Sequence, residues 1–323
     1  MFPLPRKALA TTTVALTALA LAACGSTDPV PEESSGKSKT VTIASQFGKV
    51  KVPTEPKKAL GMYTTDVDIL ITLGIPLAKE QPIRGDGWTD FPAFFPQEEL
   101  EGVKPFANYP DYNYERILGA QPDFILNGLG YDKKTVKKLP EIAPTYSVDA
   151  FDGRNWLVHF KETATALDRM DKYDAWMKKY EARVAEVKEA IGDDAKDIVV
   201  APMDYYEGKV TSSCYAGVEC KAFRDLGLKV FAPAETKGGE GISLSNEQVG
   251  RMSEVDYAFQ ISTPGKKGEA AHAKTQKDLA KNRLWARLAF VKNDQVIPYD
   301  MEMTYGSPSG QMAFLDVVEQ ALT

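Results

Sequence analysis

The stretch FKETATALDRMDKYDAWMKKYEARVAEVKEAI, residues 160–191, decides the architecture of this chain of 323 residues. Its apolar residues recur at steps of three and four, which is the period of one face of an α-helix. We predict two helices here, with Asp168 or Asp171 capping the second. The second helix, from Lys172 to Ile191, would measure about 30 Å, which is long enough to connect two domains.

Short apolar strands alternate with helical segments on both sides of this stretch. The first half opens with a β-hairpin, VTIASQFGKVKVP, at 41–53. It continues with strands at 59–62, 124–126 and 145–148 and with helices at 66–73, 113–120 and 133–139. The second half has strands at 198–201, 229–231 and 257–261 and helical segments at 222–227 and 244–249. Alternating strands and helices predict a parallel sheet in each half, covered on both faces.

The N-terminus carries an export signal. Arg6 and Lys7 precede an uncharged segment at 8–23, which is too short for a membrane span and typical of a signal-peptide core. Leu21-Ala22-Ala23-Cys24-Gly25 resembles a bacterial lipobox, so we expect Cys24 to be lipidated; an ordinary signal peptide with a chance cysteine is the alternative. Residues 24–40 are polar and lack aromatic side chains, which indicates a tether.

Composition and charge exclude several classes of function. The net charge of −6 and the absence of a basic tract argue against nucleic acid as a partner. His159 and His272 are the two histidines, and GSPSG at 306–310 has proline where a nucleophile elbow needs serine. We therefore predict no enzyme and no catalytic residues, with an extracellular hydrolase as the rival class. Two histidines and few cysteines also predict no protein-made metal site and no cofactor.

The two cysteines beyond Cys24 are six residues apart. Cys214 and Cys220 lie in TSSCYAGVECKAF, in a chain that the signal peptide sends to an oxidising compartment. We predict a disulfide between them; free thiols or a metal site are the alternatives, although no histidine lies nearby.

Aromatic residues follow several of the predicted strands. Loops at the carboxyl ends of parallel strands line the cleft of open α/β sheets, so these side chains become ligand-binding candidates together with Arg84. The aromatic candidates are Tyr63, Trp88, Tyr131, Phe151, Trp156, Tyr205, Tyr299 and Tyr305.

In combination, these features resemble the siderophore- and cobalamin-binding proteins of ABC importers. NYERILGAQPDFIL at 113–126 is similar to the pattern of the family's first lobe, and LWARLAFVKNDQVIPYD at 284–300 to its C-terminal pattern. The likeness runs from about residue 41 to the end, although the cysteine pair departs from it. The resemblance implies an α/β fold of two Rossmann-like lobes with central, mostly parallel sheets, joined by one long interlobe helix, with a ligand cleft between the lobes. Relatives also place aromatics at the positions of Tyr131 and Tyr305.

The same resemblance implies the partners of the chain. One exposed glutamate on each lobe of such proteins engages arginines of the permease dimer, and the matching residues here are Glu115 and Glu247. We expect an extracytoplasmic monomer that is anchored to the cell membrane through Cys24. The expected segments are a signal peptide at 1–23, a tether at 24–40, an N-terminal lobe at 41–158, an interlobe helical backbone at 159–192 and a C-terminal lobe at 193–323.

The charged residues on the predicted loops limit the classes of cargo that we expect. Anionic ferric catecholates need several basic groups, and the predicted loops offer Arg84 and Arg154. They also carry five acidic residues: Asp86, Asp90, Asp204, Asp300 and Glu302. A mixed or acidic aromatic pocket suits a neutral or cationic ferric hydroxamate of the ferrioxamine kind. Haem and cobalamin are the alternatives within this fold.

Overall fold

The computed structural model describes residues 39–85, 87–215 and 217–323. Its strands are β1 Thr40–Ser45, β2 Gly48–Pro53, β3 Ala59–Gly61, β4 Glu80–Gly85, β5 Lys104–Tyr109, β6 Phe124–Asn127, β7 Thr145–Ser147, β8 Val199–Tyr206, β9 Lys209–Ser212, β10 Lys229–Val230, β11 Ile242–Leu244, β12 Tyr257–Ser262 and β13 Val296–Asp300. Its α-helices are α1 Thr64–Thr72, α2 Tyr114–Gly119, α3 Lys133–Lys138, α4 Trp156–Ala166, α5 Met170–Ile191, α6 Val218–Leu226, α7 Gly265–Leu279, α8 Ala289–Lys292, α9 Met301–Thr304 and α10 Pro308–Leu322.

The first half builds its sheets from parallel strands. β6 lies between β3 and β7, and β4 pairs with β5, in both cases in parallel register. Buried Gln81 of β4 connects the two groups, because its side chain accepts the N–H of Gly61 and donates to the carbonyl of Ala59. The sequence analysis missed β4 and β5, so Arg84, which was expected on a loop, lies in a strand. The predicted hairpin is confirmed as β1 and β2, in antiparallel register.

The second half contains one larger mixed sheet. β12 lies between β8 and β13 in parallel register, β10 pairs with β8, and β9 and β11 extend the sheet in antiparallel register. Strand β8 runs five residues beyond its predicted end at Ala201. Glu207 and Gly208 both have positive φ, as a tight hairpin turn requires, and so β8 continues directly into β9. Tyr205 therefore lies in a strand and not on a loop.

Two helices connect the halves, as predicted. Helix α5 has 22 residues and so measures about 33 Å. It packs against α1 of the first half and against α6 and α10 of the second. The predicted aspartate cap is wrong, because Arg169 precedes α5 without a side-chain cap and Asp168 adopts a positive φ in the preceding turn. Gly192, also at positive φ, ends the helix.

Buried polar contacts hold the two halves together beside this helix. Asp68 of α1 accepts two hydrogen bonds from Ser309 at the start of α10, one from its N–H and one from its hydroxyl, each at 2.7 Å. GSPSG thus forms the beginning of α10, where Ser307 caps the helix by accepting the N–H of Gly310. Because Asp68 is completely buried, these bonds also satisfy a carboxylate that would otherwise be costly to bury.

The disulfide prediction is confirmed. Cys214 and Cys220 are bonded to each other, with their Cα atoms 5.6 Å apart. The bond ties the loop after β9 to the first turn of α6. Within the described ranges, no helix is long and apolar enough to cross a membrane.

Candidate ligand cleft

Arg84 lies at the centre of the site, where the two halves meet. The residue is 9% exposed and lies near the carboxyl end of β4. Its Nη1 donates to the hydroxyl of Tyr63 at 2.8 Å and to the hydroxyl of Tyr305 at 2.9 Å, one from each half of the chain. The Oε1 atom of Glu302 lies 3.9 Å from the same nitrogen. A buried guanidinium thus receives one carboxylate and two hydroxyls as partners.

Aromatic rings surround this guanidinium. Its central carbon lies 4.8 Å from the ring centroid of Tyr109 and 5.4 Å from those of Trp88 and Tyr305. Each distance is within the range of a cation–π attraction, and the attraction strengthens where water is excluded. The rings therefore stabilise the charge of Arg84 and form a preorganised apolar wall around it.

Further rings extend this wall. Phe151 packs edge-to-face against Tyr305 at 6.1 Å and against Tyr131 at 5.8 Å, and Tyr305 packs against Tyr63 at 5.5 Å. We call this set the aromatic cluster: Tyr63, Trp88, Tyr109, Tyr131, Phe151 and Tyr305. Each of its first-half members ends or follows one of strands β3 to β7, because parallel strands bring their carboxyl ends to one edge.

Three buried polar atoms of the site lack a hydrogen-bond partner among the described residues. They are Nε of Arg84, Nε1 of Trp88 and Oε1 of Glu302. A buried donor without a partner costs free energy, and such groups in native proteins usually have a function. Two donors beside a ring of aromatics are suited to the oxygen atoms of a bound ligand.

Glu302 has an unusual environment for a carboxylate. It is 2% exposed and accepts a hydrogen bond from the hydroxyl of Thr64, across the boundary between the halves. The pKa of Glu302 is raised to about 7, mainly by burial and also by nearby Asp300, while the Thr64 hydroxyl and Arg84 act in the opposite direction. The net charge at the centre of the site therefore changes near neutral pH.

Three predicted cleft residues lie outside the aromatic cluster. Trp156 is 3% exposed and stacks on Phe160 in the core between α4 and α5, because it is the first residue of α4 and points inward. Tyr205 packs against the core of the second half, as its strand position dictates. Tyr299 is buried in β13 and donates to Glu219 at 2.5 Å. Its side chain lines a separate cavity on the second-half side.

Two residues of the site escaped the sequence analysis. Tyr109 ends β5, a strand that KPFANY does not reveal, because its two buried positions are apolar Phe106 and polar Asn108 and no apolar–polar alternation results. Tyr215 lies inside the disulfide loop, and its hydroxyl donates to the carbonyl of Phe151 at 2.5 Å. This hydrogen bond crosses from the second half to the first, which local sequence does not reveal.

The two predicted docking residues lie on the surface. Glu115 is exposed in the first turn of α2. Glu247 is also exposed, but it lies in a turn between β11 and a 3₁₀ helix at Val249–Met252, where the sequence predicted the first turn of a helix. Cys24 lies outside the described residues. Among those residues no cluster of His, Cys, Asp and Glu could hold a metal ion.

Comparison with known families identifies the architecture. The family described as periplasmic binding protein matches residues 63–302, which is about three quarters of the chain. This chain belongs to the periplasmic binding protein family. The expected fold of two lobes joined by a long helix is confirmed, and the family comprises binding proteins, which removes the extracellular hydrolase as a reading.

Relatives of this periplasmic binding protein are known in Bacillus subtilis (strain 168). It is 26% identical to an "iron-uptake system-binding protein" over 98% of this chain and 99% of the relative. It is 27% identical to a "probable siderophore-binding lipoprotein YfiY", where the match spans about half of each protein, 56% of this chain and 55% of the relative. Among solved structures, Staphylococcus aureus SirA complexed with staphyloferrin B superposes with a TM-score of 0.69 at 23% identity, over 88% of this chain and 98% of SirA.

Removing the carboxylate of Glu302 should change how stability depends on pH. The pKa of Glu302 is about 7 in the folded protein, against an ordinary value of 4.5, so the folded state retains a proton that the unfolded chain has released. Wild-type stability should therefore fall between pH 5 and pH 8, with Glu302 contributing up to about 3 kcal/mol. In Glu302→Gln, the unfolding free energy should not show this part of the fall with pH.

Urea unfolding of both proteins at pH 5, 6.5 and 8 measures the effect. Asp66, whose pKa burial also raises to about 7, is present in both proteins and cancels in the difference. A difference in unfolding free energy that stays constant with pH would contradict the assignment.

Proposed function

We propose that this protein is the substrate-binding component of an ABC iron importer and that its cargo is a ferric siderophore. The observation that carries the proposal is the buried guanidinium of Arg84, which the aromatic cluster surrounds. Its Nε and the Nε1 of Trp88 lack a hydrogen-bond partner among the described residues. Aromatic walls with a few fixed polar groups are typical of small-molecule sites. Names of relatives that refer to iron uptake and siderophore binding support the same reading.

We propose a ferric hydroxamate as the best cargo class. Arg154 is engaged elsewhere, with Asp152 at 2.6 Å and Glu162 at 2.8 Å, which leaves Arg84 as the guanidinium at the cluster. Arg84 in turn faces Glu302. Because an anionic tris-catecholate needs several cations, this balance favours a neutral or positively charged chelate. The iron would be coordinated by the chelator, and the protein would provide shape and hydrogen bonds.

Delivery of the cargo to the permease would use one docking residue on each lobe. We assign residues 41–158 to the N-terminal lobe, 159–192 to the connecting helices and 193–323 to the C-terminal lobe, with Glu115 and Glu247 as one docking residue on each. Both carboxylates are exposed, as contact with a permease dimer requires. Residues 1–23 would be removed as a signal peptide, and a lipid on Cys24 would hold a monomeric protein on the outer face of the cell membrane.

Truncating the aromatic cluster should weaken cargo binding. We expect Trp88→Ala and Tyr131→Ala each to cost about 1–3 kcal/mol of binding free energy, because anchoring aromatics dominate such sites. Arg84→Met should also weaken binding, since it removes the donors. Phe47→Ala is the matched control, because Phe47 on the N-terminal hairpin is 53% exposed and Tyr131 is 54% exposed.

Titration of each variant with ferric hydroxamates, ferric catecholates, haem and cobalamin, followed by tryptophan quenching, gives the affinities. Unchanged hydroxamate affinity in all three cleft variants would place the site elsewhere. Preferential binding of haem or cobalamin would replace the hydroxamate assignment.

Reversing the two docking charges should abolish uptake without changing cargo affinity. Glu115→Lys and Glu247→Lys would each bring like charges together at the permease. Glu189→Lys, an exposed reversal on α5, is the control. Uptake of radiolabelled ferric hydroxamate is measured beside affinity and expression. If Glu115 and Glu247 are ordinary surface residues, the double variant will transport at the wild-type rate, and the docking assignment is wrong.

Replacing Cys24 should release the protein from the membrane. The Cys24 thiol is the proposed acceptor of the lipid, so Cys24→Ala should leave an unprocessed precursor or a protein in the soluble fraction. Membrane fractionation and intact-mass analysis of wild type and variant measure this. A wild-type protein that is exported, soluble and free of lipid would contradict the proposal.

A further inference from the structure

A small cavity with several polar side chains lies on the second-half side of the cleft. It has a volume of about 210 Å³ and lies at the carboxyl ends of β8, β12 and β13. Its polar lining consists of Asp204, Thr211, Ser213, Tyr215, Glu219, Tyr299 and Thr304. Sites for whole drug-sized ligands usually measure about 300–1,000 Å³, so this cavity fits one arm of a larger ligand.

The cavity adjoins the aromatic cluster on two sides. Tyr215 forms part of its wall and donates its hydroxyl to the carbonyl of Phe151, a member of the cluster. Thr304, on another wall, directly precedes Tyr305 in the chain. A ligand that contacts the cluster can therefore extend an arm into the cavity.

Glu219 is already satisfied within this wall. Its Oε1 accepts the hydroxyl of Tyr299 at 2.5 Å, and Tyr299 accepts in turn from Thr304 at 3.2 Å. Glu219 also lies in the first turn of α6, where a carboxylate offsets the positive end of the helix dipole. Glu219 therefore offsets the positive end of α6, so this helix end does not favour an anion in the cavity.

Asp204 differs, because its carboxylate accepts a single hydrogen bond from the residues that the structure describes. Oδ1 accepts the N–H of Tyr205 at 2.7 Å, and among the described residues no cation lies within ion-pairing distance of either oxygen. Partial burial raises the pKa of Asp204, as expected for a carboxylate that has lost some of its water and has no charged partner among the described residues. A positively charged group in the cavity would offset this penalty.

The remaining walls also suit a cation. Tyr215 contributes an aromatic side chain to the lining. It is held by the neighbouring Cys214–Cys220 disulfide and by a hydrogen bond from its N–H to the Ser213 hydroxyl at 3.1 Å. Hydroxyl oxygens of Ser213 and Thr304 provide further acceptors. An ammonium has three donors and no acceptor, which matches the carboxylate and hydroxyl oxygens among the lining side chains.

We propose that this cavity is a subsite that holds the protonated primary amine of a cationic siderophore, with Asp204 as its counter-ion. The inference rests on the function proposed above and defines the cargo more narrowly: a ferric hydroxamate with an aminoalkyl arm. The chelate body contacts the aromatic cluster, and the arm enters the cavity beside Tyr215.

Two chelates that differ only in this amine test the subsite. Ferrioxamine B carries a free terminal ammonium, and N-acetyl ferrioxamine B carries a neutral amide at the same place. Calorimetric titration of wild type should give roughly 10- to 100-fold tighter binding of ferrioxamine B, the range expected for a charged hydrogen bond out of water. Asp204→Asn keeps the shape of the side chain and should abolish this preference while leaving affinity for the acetylated chelate unchanged.

Asp197→Asn is the control for net charge, because Asp197 pairs with Lys229 on the surface away from the cavity. It should retain the full preference, and thermal unfolding of each variant checks that it is folded. Equal binding of both chelates by wild type would overturn the subsite and leave the hydroxamate function standing. Equal weakening of both chelates by Asp204→Asn would also overturn it, since Asp204 would then act on pocket shape. Failure of wild type to bind either chelate would overturn the cargo class and the subsite together.

Discussion

The structure depends on the burial of one guanidinium at the junction of its two halves. Arg84 is 9% exposed, and a buried charge is tolerated only with partners. Those partners come from both sides of the junction, with the Tyr63 hydroxyl in the first half and the Tyr305 hydroxyl and Glu302 in the second. The geometry of the site is therefore coupled to the way in which the lobes meet.

Other contacts support the same junction. Asp68 holds the start of α10, Thr64 donates to Glu302, and Tyr215 reaches the carbonyl of Phe151. The bonds of Asp68 and Glu302 involve carboxylates that are withdrawn from water, so breaking either one leaves a costly unpaired group. Together with the long helix α5, they favour a fixed arrangement of the lobes, in which the aromatic cluster is formed before cargo arrives. Preorganisation of this kind improves affinity because less freedom is lost on binding.

The two sides of the cleft differ in chemistry. The first-half side provides rings and donors, through Trp88, Tyr109 and Arg84. The second-half side provides carboxylates and hydroxyls, through Asp204, Glu219 and Glu302, whose pKa values are all raised by burial. A cargo with an apolar, oxygen-rich body and a positive arm would complement both sides, whereas a polyanionic chelate would meet carboxylates. This asymmetry is the physical basis for the cargo class that we propose.

The sequence alone determined the features that rest on local pattern. The helical period predicted α5, and the alternation at residues 41–53 predicted the first hairpin. Two cysteines in a chain with a predicted export signal predicted the disulfide. Motifs that resemble those of the family predicted the two-lobed architecture. The ends of the predicted strands indicated most of the aromatic cluster, because parallel strands bring their carboxyl ends to one edge of a sheet.

Tertiary structure alone decided which side chains meet. Trp156 looked like a cleft residue in sequence, yet the packing of α4 against α5 buries it, and Tyr205 is drawn into a strand by the turn at Gly208. Conversely, Tyr109 and Tyr215 join the site through a strand pairing and a contact between halves that no local pattern encodes. Periodicity reports which face of an element is apolar, but it does not report what that face packs against. The partners of Arg84, 21 and 221 residues away in sequence, could be found only in the folded chain.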